Sequence, residues 1–246
     1  MAARVAIIGL ASDFGCQVQM TNMEDHLLDV LGLFELSYWQ LASSGHLPEE
    51  YDVAVIEGAV TTDEHVALLK RVRDTAGVVI AIGSCAVTGG IPALAGLGGI
   101  DARYTTVYGD GVAVARGRVA PAPVDSVISV DYHVPGCPID PEEFVSVLMR
   151  ALMGLKDAMP EAPMCAICKT KENICFLERG QACLGLLTRS GCGAKCVTLG
   201  RPCTGCRGIT PEANIPSARA VYADKGLDPA EIDRLFDLYN AVREVV

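Results

Sequence analysis

The stretch Arg4-Val-Ala-Ile-Ile-Gly9 is a short, nearly continuous apolar run close to the start of the chain. Asp52-Val-Ala-Val-Ile-Glu57 and Gly77-Val-Val-Ile-Ala-Ile82 repeat this pattern. Apolar runs of this length are typical of strands that are covered on both faces of a parallel sheet. We therefore predict three central strands here, with Phe34–Tyr38 and Asp125–Val130 as two further strands.

Helical spacing separates these predicted strands. Residues 22–32 and 62–75 carry apolar side chains at helical intervals. A third helix is predicted from Asp140 through Leu155, with Asp140 as its N-cap and a proline in its first turn. The alternation of strands and helices predicts an α/β fold with a parallel sheet and right-handed crossovers. Residues 101–124 do not fit the alternation, and we predict an insertion or a hairpin there.

The composition of the chain changes near residue 160. Residues 160–210 are rich in Cys, Gly and small polar residues, which do not form an ordinary apolar core without further cross-links. We therefore predict an α/β domain over residues 1–157, an irregular cysteine-rich domain over 158–212 and a helical tail over 213–246.

The tail has the signals of one long helix. Asp228 is predicted to cap it, with a proline in the first turn. One apolar stripe follows at helical spacing, and we expect it to pack on this chain or on a partner. Its residues are Ile232, Leu235, Phe236, Tyr239 and Val242.

Charge and hydropathy exclude several classes of protein. The chain has 20 Lys and Arg against 30 Asp and Glu, a formal net charge of −10. This balance argues against a general nucleic-acid-binding protein, which needs a basic face for phosphates. No apolar run approaches the ~18 residues of a membrane span. The first residues lack a secretory signal and a twin-arginine signal, so we expect a cytoplasmic protein.

Eleven cysteines are the feature that points to chemistry. An odd number in a chain without an export signal does not favour disulfides and indicates metal or redox chemistry. Three of the cysteines each follow a predicted strand, at the edge of a parallel sheet where ligands bind. We expect them to converge on an iron–sulfur cluster or a zinc ion, the alternative being three buried apolar residues. They are Cys16, Cys85 and Cys137.

Asp13 is the candidate for a fourth ligand beside these three cysteines. It lies three residues before Cys16, where a Cys-x-x-Cys motif would have its first cysteine. A carboxylate can bind iron, although it is a harder ligand than a thiolate. The alternative is that Asp13 caps the helix that follows.

The remaining eight cysteines fall between residues 165 and 206. They are Cys165, Cys168, Cys175, Cys183, Cys192, Cys196, Cys203 and Cys206. Eight cysteines supply two 4Fe–4S clusters, and the alternative is two four-thiolate zinc sites. The irregular interior spacings favour clusters. Three clusters require twelve ligands, and the eleven cysteines with Asp13 make twelve.

Three other features are weaker candidates. Glu57 ends a predicted strand and is a candidate for relaying protons or orienting a partner, unless it is bonded to nearby amides. His133 is a candidate for tuning the cluster at Cys137. The glycine-rich residues 89–99 are expected to wrap a cluster or face a partner, because neither a dinucleotide fingerprint nor a Walker A motif is present.

Taken together, five motifs make the chain resemble the small, electron-transferring subunit of cytoplasmic nickel–iron hydrogenases. The resemblance is greatest to the methyl-viologen-reducing, deazaflavin-reducing and sulfhydrogenase types, and its motifs span residues 13–206. They are Asp13-Phe-Gly-Cys16, Val55-Ile-Glu-Gly-Ala59, Gly83-Ser-Cys-Ala86 with Gly89-Gly-Ile-Pro92, Val134-Pro-Gly-Cys-Pro138, and Cys183-Leu-Gly-Leu-Leu-Thr-Arg-Ser-Gly-Cys-Gly-Ala-Lys-Cys196 leading to Cys203-Thr-Gly-Cys206.

The resemblance implies a flavodoxin-like domain with a proximal cluster and a ferredoxin-like domain with medial and distal clusters. It implies a nickel–iron large subunit as partner, a flavoprotein, ferredoxin or disulfide-reductase subunit as electron acceptor, and no catalytic residue in this chain. The implied ligands are Asp13, Cys16, Cys85 and Cys137 for the proximal cluster, Cys165, Cys168, Cys183 and Cys192 for the distal one, and Cys175, Cys196, Cys203 and Cys206 for the medial one. Asp13 is a departure, because most relatives have cysteine there.

Two other functions stay open at this point. One is an iron–sulfur electron-transfer subunit of a different oxidoreductase that has no nickel site. The other is a zinc-bound interaction module. Fold alone does not choose among the three.

Overall fold

The computed structural model describes residues 2–110 and 117–242. Seven strands are assigned in these ranges: β1 (Arg4–Gly9), β2 (Glu35–Trp39), β3 (Val53–Glu57), β4 (Val60–Thr62), β5 (Val78–Ile82), β6 (Arg118–Ala122) and β7 (Tyr132–Val134). Five of them form a parallel sheet in the order β2-β1-β3-β5-β7, while β4 and β6 form a separate antiparallel pair. Every residue of the central β3 is buried, as expected for a strand covered on both faces. The predicted α/β fold is confirmed.

The prediction of a strand at Asp125–Val130 is wrong. Residues Val124–Ser126 form a 3₁₀ turn, and the strand that pairs with β5 is β7, further along the chain. The apolar side chains of this stretch pack instead against the core beside the sheet, where Val124 and Ile128 are buried. Pairing starts at Asp131, whose backbone N–H donates to the Val79 carbonyl and whose carboxylate accepts from the Val79 N–H.

Ten α-helices are assigned in the described residues: α1 (Gly15–Thr21), α2 (Leu27–Leu31), α3 (Asp63–Thr75), α4 (Gly83–Thr88), α5 (Ile100–Tyr108), α6 (Pro141–Leu152), α7 (Met164–Thr170), α8 (Lys195–Thr198), α9 (Ile215–Asp224) and α10 (Pro229–Asn240). The predictions of α3, α6 and α10 are confirmed, although α6 ends three residues early. Asp140 and Asp228 cap their helices as predicted. The helix predicted over 22–32 is confirmed only for its second half, α2 (Leu27–Leu31), because a 3₁₀ turn at Glu24–His26 comes before it.

The stretch 101–124 lies partly outside the described residues, since 111–116 are not described. Its described parts are most of α5 and the strand β6. The pairing partner of β6 is β4, which precedes α3, so residues 101–110 and 117–124 form no hairpin with each other.

Three apolar clusters form the core. Two lie on opposite faces of the parallel sheet, and the third joins the cysteine-rich segment to the tail. In the third cluster, Phe176 and Leu184 pack with Ile232 and Phe236 of α10. The expectation that the tail stripe packs on this chain is thus confirmed for its first half. No helix in the described ranges is long and apolar enough to cross a membrane.

Candidate metal centres

Three segments that follow strands of the α/β unit meet at the carboxyl edge of the sheet. Cys16 lies in the first turn of α1, after β1, Cys85 lies in the first turn of α4, after β5, and Cys137 lies in the loop after β7. The Ser84 N–H donates to the Gly136 carbonyl at 2.8 Å, which ties the start of α4 to that loop. A Cβ atom on Gly83, whose φ is +80°, would lie 2.6 Å from the Cys16 sulfur. The start of α1 therefore packs against the start of α4 so closely that only glycine fits.

The three thiols lie in one electrostatic neighbourhood. Burial raises the pKa of Cys16, and charge on Glu57, Cys137 and Cys85 raises it further. Burial likewise raises the pKa of Cys85 to about 11, with Cys137 and Asp13 adding to the effect. Thiolates are the form that binds metal, and the positive charge of bound iron replaces the proton. These buried thiols would therefore lose their protons only where a bound metal supplies compensating positive charge.

Hydrogen-bond donors point at the sulfur atoms of this group. The Ile139 N–H donates to the Cys16 sulfur. The Tyr239 hydroxyl, from α10, donates to the Cys137 sulfur. Hydrogen bonds to sulfur are one of the means by which proteins set the potential of an iron–sulfur cluster. The sequence pattern places Tyr239 only in an apolar stripe, and nothing in the sequence indicates the contact between its hydroxyl and Cys137.

Asp13 lies at the rim of the same group. Its side chain is exposed, and Oδ1 accepts from the Gly15 N–H at 2.9 Å. Its charge raises the pKa values of Cys85 and Cys137, so it is close to both. The turn uses one oxygen of a carboxylate that has two. Ligation by Asp13 stays a prediction beside its role in the turn.

Glu57 accepts hydrogen bonds from nearby amides, which was the alternative to a role in relaying protons or orienting a partner. Its carboxylate is almost fully buried and accepts from the N–H groups of Cys16 at 3.1 Å and Gln17 at 3.3 Å. Burial raises its pKa, while these amide bonds oppose the rise. Glu57 therefore holds the start of α1, and with it Cys16, against β3.

His133 does not contact a cysteine sulfur, whereas the glycine-rich stretch does lie against a cysteine. The ring nitrogens of His133 contact Asp125 at 2.9 Å and Asp157 at 3.3 Å, so both nitrogens are engaged and neither is left for a sulfur. Gly90 lies directly against Cys85: its φ is +52°, and an added Cβ would be 3.1 Å from the Cys85 sulfur. The first part of the stretch 89–99 thus wraps the cysteine that precedes it.

A second set of four cysteines lies in the first part of the cysteine-rich segment. The set is Cys165, Cys168, Cys175 and Cys183. Burial raises the pKa of Cys165 to about 11, and charge on the other three raises it further. The Cys183 sulfur accepts from the Cys203 N–H at 3.3 Å. Gly185 lies between two of the sulfurs, since an added Cβ would be 3.3 Å from that of Cys165 and 3.7 Å from that of Cys183.

A third set of four cysteines lines a single cavity. The set is Cys192, Cys196, Cys203 and Cys206. Burial raises the pKa of Cys203 to about 12 and that of Cys206 to about 11. This grouping differs from the one that the resemblance implies, because Cys175 lies with Cys165 and Cys192 lies with Cys206. The reason is local: Cys192 and Cys196 flank the start of α8, which holds them on the same cavity.

The donor atoms of each set are of the kind that a cluster requires. In a 4Fe–4S cluster the four protein ligands surround the cluster and do not meet at one metal ion. Within the described residues, no three His, Cys, Asp or Glu side chains come together to hold a single ion. The side chains of Cys192, Cys196, Cys203 and Cys206 line one small cavity, and their thiols are of the kind that binds iron.

The third set touches the first directly. The Cys137 N–H donates to the Cys206 sulfur, and the Ser84 hydroxyl donates to the Cys206 carbonyl. Sequence reasoning missed this junction because residues 84, 137 and 206 are far apart in the chain.

Arg207 is a second functional residue that sequence reasoning missed. Its side chain is 1% exposed and bonds both carboxylate oxygens of Glu143 at 2.6 Å. It also donates to the carbonyls of Pro135 at 2.6 Å and Ser190 at 2.7 Å. The guanidinium therefore holds the loop of Cys137 and the loop of Cys192 on either side of Cys206. A basic residue directly after a Cys-x-x-Cys motif was the only available signal.

Comparison with known proteins places this arrangement in a family. The family model described as NADH ubiquinone oxidoreductase, 20 Kd subunit, matches residues 14–151. The chain is 33% identical to sulfhydrogenase 2 subunit delta of Pyrococcus furiosus, over 87% of this chain and 89% of that protein. The chain belongs to the small-subunit family of nickel–iron hydrogenases. The subunit is thus part of an oxidoreductase.

Two further relatives agree with this membership. A subunit of the vhu F420-non-reducing hydrogenase of Methanococcus voltae is 32% identical over 96% of this small subunit and 94% of the relative. A crystal structure of an NAD⁺-reducing [NiFe]-hydrogenase in the H₂-reduced state has a chain with a TM-score of 0.56 and 27% identity, covering 65% of this small subunit and 96% of that chain. The vhu relative spans the eight C-terminal cysteines, which lie beyond the match to the 20 Kd family model.

Proposed function

We propose that this small subunit carries electrons from dihydrogen oxidation through three 4Fe–4S clusters. The nickel–iron centre belongs to a large partner subunit, and the acceptor is a flavoprotein, a ferredoxin or a disulfide reductase. The observation that carries the proposal is the division of twelve candidate ligands into three neighbouring sets of four. Bound clusters would supply one-electron redox chemistry, while this chain sets their positions and potentials through ligands, burial and hydrogen bonds.

The order of the clusters follows from the contacts between the sets. The proximal ligands are Asp13, Cys16, Cys85 and Cys137, within residues 1–157. The set Cys192, Cys196, Cys203 and Cys206 is medial, because its Cys206 accepts from the Cys137 N–H. The set Cys165, Cys168, Cys175 and Cys183 is distal, and both of these sets belong to residues 158–212. The tail, residues 213–246, supports the junction through Tyr239. We place the complex in the cytoplasm.

The test uses the complex purified anaerobically from its native source. Dihydrogen is added without dithionite, and the visible iron–sulfur absorbance is followed. Bleaching is expected, because a hydrogen-splitting partner would reduce the clusters. A brown protein that dithionite bleaches and dihydrogen does not would retain the clusters and refute the hydrogenase function. A colourless protein that holds zinc and no labile sulfide would instead support the interaction module.

Replacement of Asp13 tests the fourth proximal ligand. Asp13→Cys is expected to change the electron paramagnetic resonance signal of the proximal cluster, because a thiolate is a softer and more electron-donating ligand than a carboxylate. Asp13→Asn is the control for the turn, since its amide oxygen can still accept from the Gly15 N–H. A signal that is the same in wild type and Asp13→Cys would show that Asp13 is not a ligand.

A subunit of a nickel-free oxidoreductase is the second candidate. The match of residues 14–151 to the 20 Kd subunit of an NADH–ubiquinone oxidoreductase favours it for the α/β part. Metal analysis of the native complex separates the two functions: nickel in stoichiometric amount supports the hydrogenase, and a nickel-free complex that transfers electrons supports the second candidate.

A further inference from the structure

The cysteine-rich segment carries a charge opposite to that of the chain. Between Cys165 and Arg207 there are seven Lys or Arg residues, two Glu and no Asp, in a protein with a net charge of −10. Positive charge is thus concentrated in the part that holds the medial and distal sets. Such a separation of charge affects the rate and orientation of association with other proteins more than it affects the fold.

Five of these seven cations are exposed: Arg179 lies over the Phe176 ring, Lys195 forms an ion pair, and the other three are available to a partner. Lys169, Lys171 and Arg201 are exposed, and none of them forms an ion pair with another described residue. Lys195, by contrast, is bound to Asp140. The ammonium of Lys171 lies over Gly193, since a Cβ added to Gly193 would be 3.3 Å from it. Gly193 stands between Cys192 and Cys196 in the chain.

Two apolar side chains project from the same surface. Ile174 is 63% exposed and Leu199 is 81% exposed. The residues just before them are joined, because the Asn173 side-chain amide donates to the Thr198 hydroxyl at 3.1 Å. Exposed apolar groups rimmed by charge are typical of interaction surfaces.

Exposed cysteines lie within this surface. Cys175 of the distal set and Cys196 of the medial set are both exposed, next to the apolar pair and Lys195 respectively. A carrier that docks here would come close to both candidate clusters. We call the surface formed by Lys169, Lys171, Ile174, Leu199 and Arg201 the basic face.

We propose that the basic face docks a negatively charged electron-carrier protein. The proposal rests on the function proposed above, because it requires a reduced cluster beneath the surface. One electron passes from that cluster to the oxidised carrier, and no bond is made or broken. Opposite charges speed and orient the encounter, and the apolar pair forms the desolvated centre of the contact.

The test measures reduction of an acidic bacterial two-cluster ferredoxin by the anaerobic complex under dihydrogen. For wild type, kcat/KM is expected to fall steeply as the salt concentration rises, because salt screens the attraction. Lys171→Glu combined with Arg201→Glu is expected to lower kcat/KM at low salt at least tenfold and to abolish the salt dependence. The matched control is Lys70→Glu with Arg71→Glu, the same charge change on exposed positions of α3, which should leave the rate unchanged.

A second pair of variants tests the apolar contact. Leu199→Ser is expected to raise KM for the ferredoxin several-fold with little change in kcat, because it removes contact area and leaves the clusters intact. Leu28→Ser is the control, since Leu28 is 78% exposed on α2, outside the basic face.

Methyl viologen separates failure of docking from failure of the proposed function. This small acceptor needs no protein docking, so the Lys171→Glu, Arg201→Glu variant should reduce it at least as fast as wild type. If wild type reduces viologen with dihydrogen but the variant keeps its full ferredoxin rate, or if a basic cytochrome c is reduced faster than the ferredoxin, the docking proposal is overturned. If wild type does not reduce viologen with dihydrogen, the proposed function itself fails.

Discussion

Tyr239 is the residue at which the tail helix reaches the proposed electron path. Its hydroxyl donates to the Cys137 sulfur, and its charge environment includes Cys206 and Cys196 of the medial set. A hydrogen bond to a cluster ligand stabilises the reduced cluster more than the oxidised one, because the reduced cluster carries more negative charge. In the proposed function, Tyr239 would therefore position and tune the ligands at the junction of two sets.

We predict that Tyr239→Phe lowers the ratio of reduced to oxidised proximal cluster at a fixed potential by up to roughly tenfold, the scale of one charge-assisted hydrogen bond. A redox titration followed by electron paramagnetic resonance measures this ratio. Tyr222→Phe is the matched control, since its hydroxyl bonds the Cys183 carbonyl oxygen at 3.2 Å and not a sulfur. Equal proximal potentials in wild type and Tyr239→Phe would contradict the prediction.

Among the secondary-structure elements, the junctions between strands and the segments that follow them hold the proximal set: Cys16 and Cys85 lie in the first turns of α1 and α4, and Cys137 lies in the loop after β7. Gly83 begins α4 directly after β5, and its backbone leaves space for the Cys16 sulfur. Asp131 aligns β7 with β5 through two hydrogen bonds with the Val79 backbone, one from its own N–H and one to its carboxylate. These contacts decide where the loops meet, and they depend on small residues at strand ends.

We predict that Gly83→Ala removes the proximal cluster from most of the protein, because the new Cβ would displace the Cys16 sulfur. Iron analysis should fall by about four atoms per subunit, the content of one 4Fe–4S cluster. Gly154→Ala is the control: its φ is +66°, but nothing lies within 4 Å of an added Cβ. It should cost only the backbone strain of about 1–2 kcal/mol and keep its iron. Full iron content in Gly83→Ala would refute the steric argument.

The contacts of His133 connect β7 to two other segments and predict a pH dependence. Burial opposes the charged imidazolium, but the hydrogen bonds that it donates to the Asp125 and Asp157 carboxylates outweigh burial and raise the pKa of His133 to about 9. A raised pKa stabilises the folded state below the pKa of the unfolded chain, about 6.5, and this contribution is lost as the pH rises through about 9.

We therefore predict that the stability of wild type relative to His133→Gln falls by up to about 3 kcal/mol between pH 6 and pH 10. Thermal unfolding of both proteins across this pH range measures the difference. His46→Gln is the control, because His46 is exposed and forms none of these bonds. A constant difference between wild type and His133→Gln would show that the imidazolium pair does not contribute.

At the scale of the whole molecule, one buried ion pair joins the α/β unit to the cysteine-rich segment. Arg207 reaches Glu143 on α6 and the carbonyl two residues before Cys137. Breaking a buried pair leaves one charge without a partner, which costs roughly 3–5 kcal/mol.

We predict that Arg207→Met lowers the thermal midpoint of the anaerobic complex by roughly 10 °C. The double variant Arg207→Met, Glu143→Met should recover much of this loss, because neither charge is then buried alone. Arg219→Met is the control, since its ion pair with Asp233 is about half exposed on both sides and such pairs contribute at most ~1 kcal/mol. Equal midpoints for wild type and Arg207→Met would refute the structural role.

The parallel α/β sheet and the candidate ligands can be recognised from the amino-acid sequence alone. Uniform apolar runs predict buried strands. Cysteine is a metal-binding residue type, so Cys16, Cys85 and Cys137 are candidate ligands whatever their position in the fold. These signals are local, so one chain is enough to read them. The prediction of a strand at residues 125–130 is wrong, because an apolar run can also be buried by packing beside a sheet.

The grouping of the cysteines and the side chains that contact them are visible only in the folded chain. Cys192 faces Cys206 and not Cys165, Arg207 holds two loops, and Tyr239 bonds the Cys137 sulfur. Each of these contacts joins residues that are distant in the chain. Spacing along a sequence contains no information on such distances, because they follow from how the helices and loops pack on the sheet.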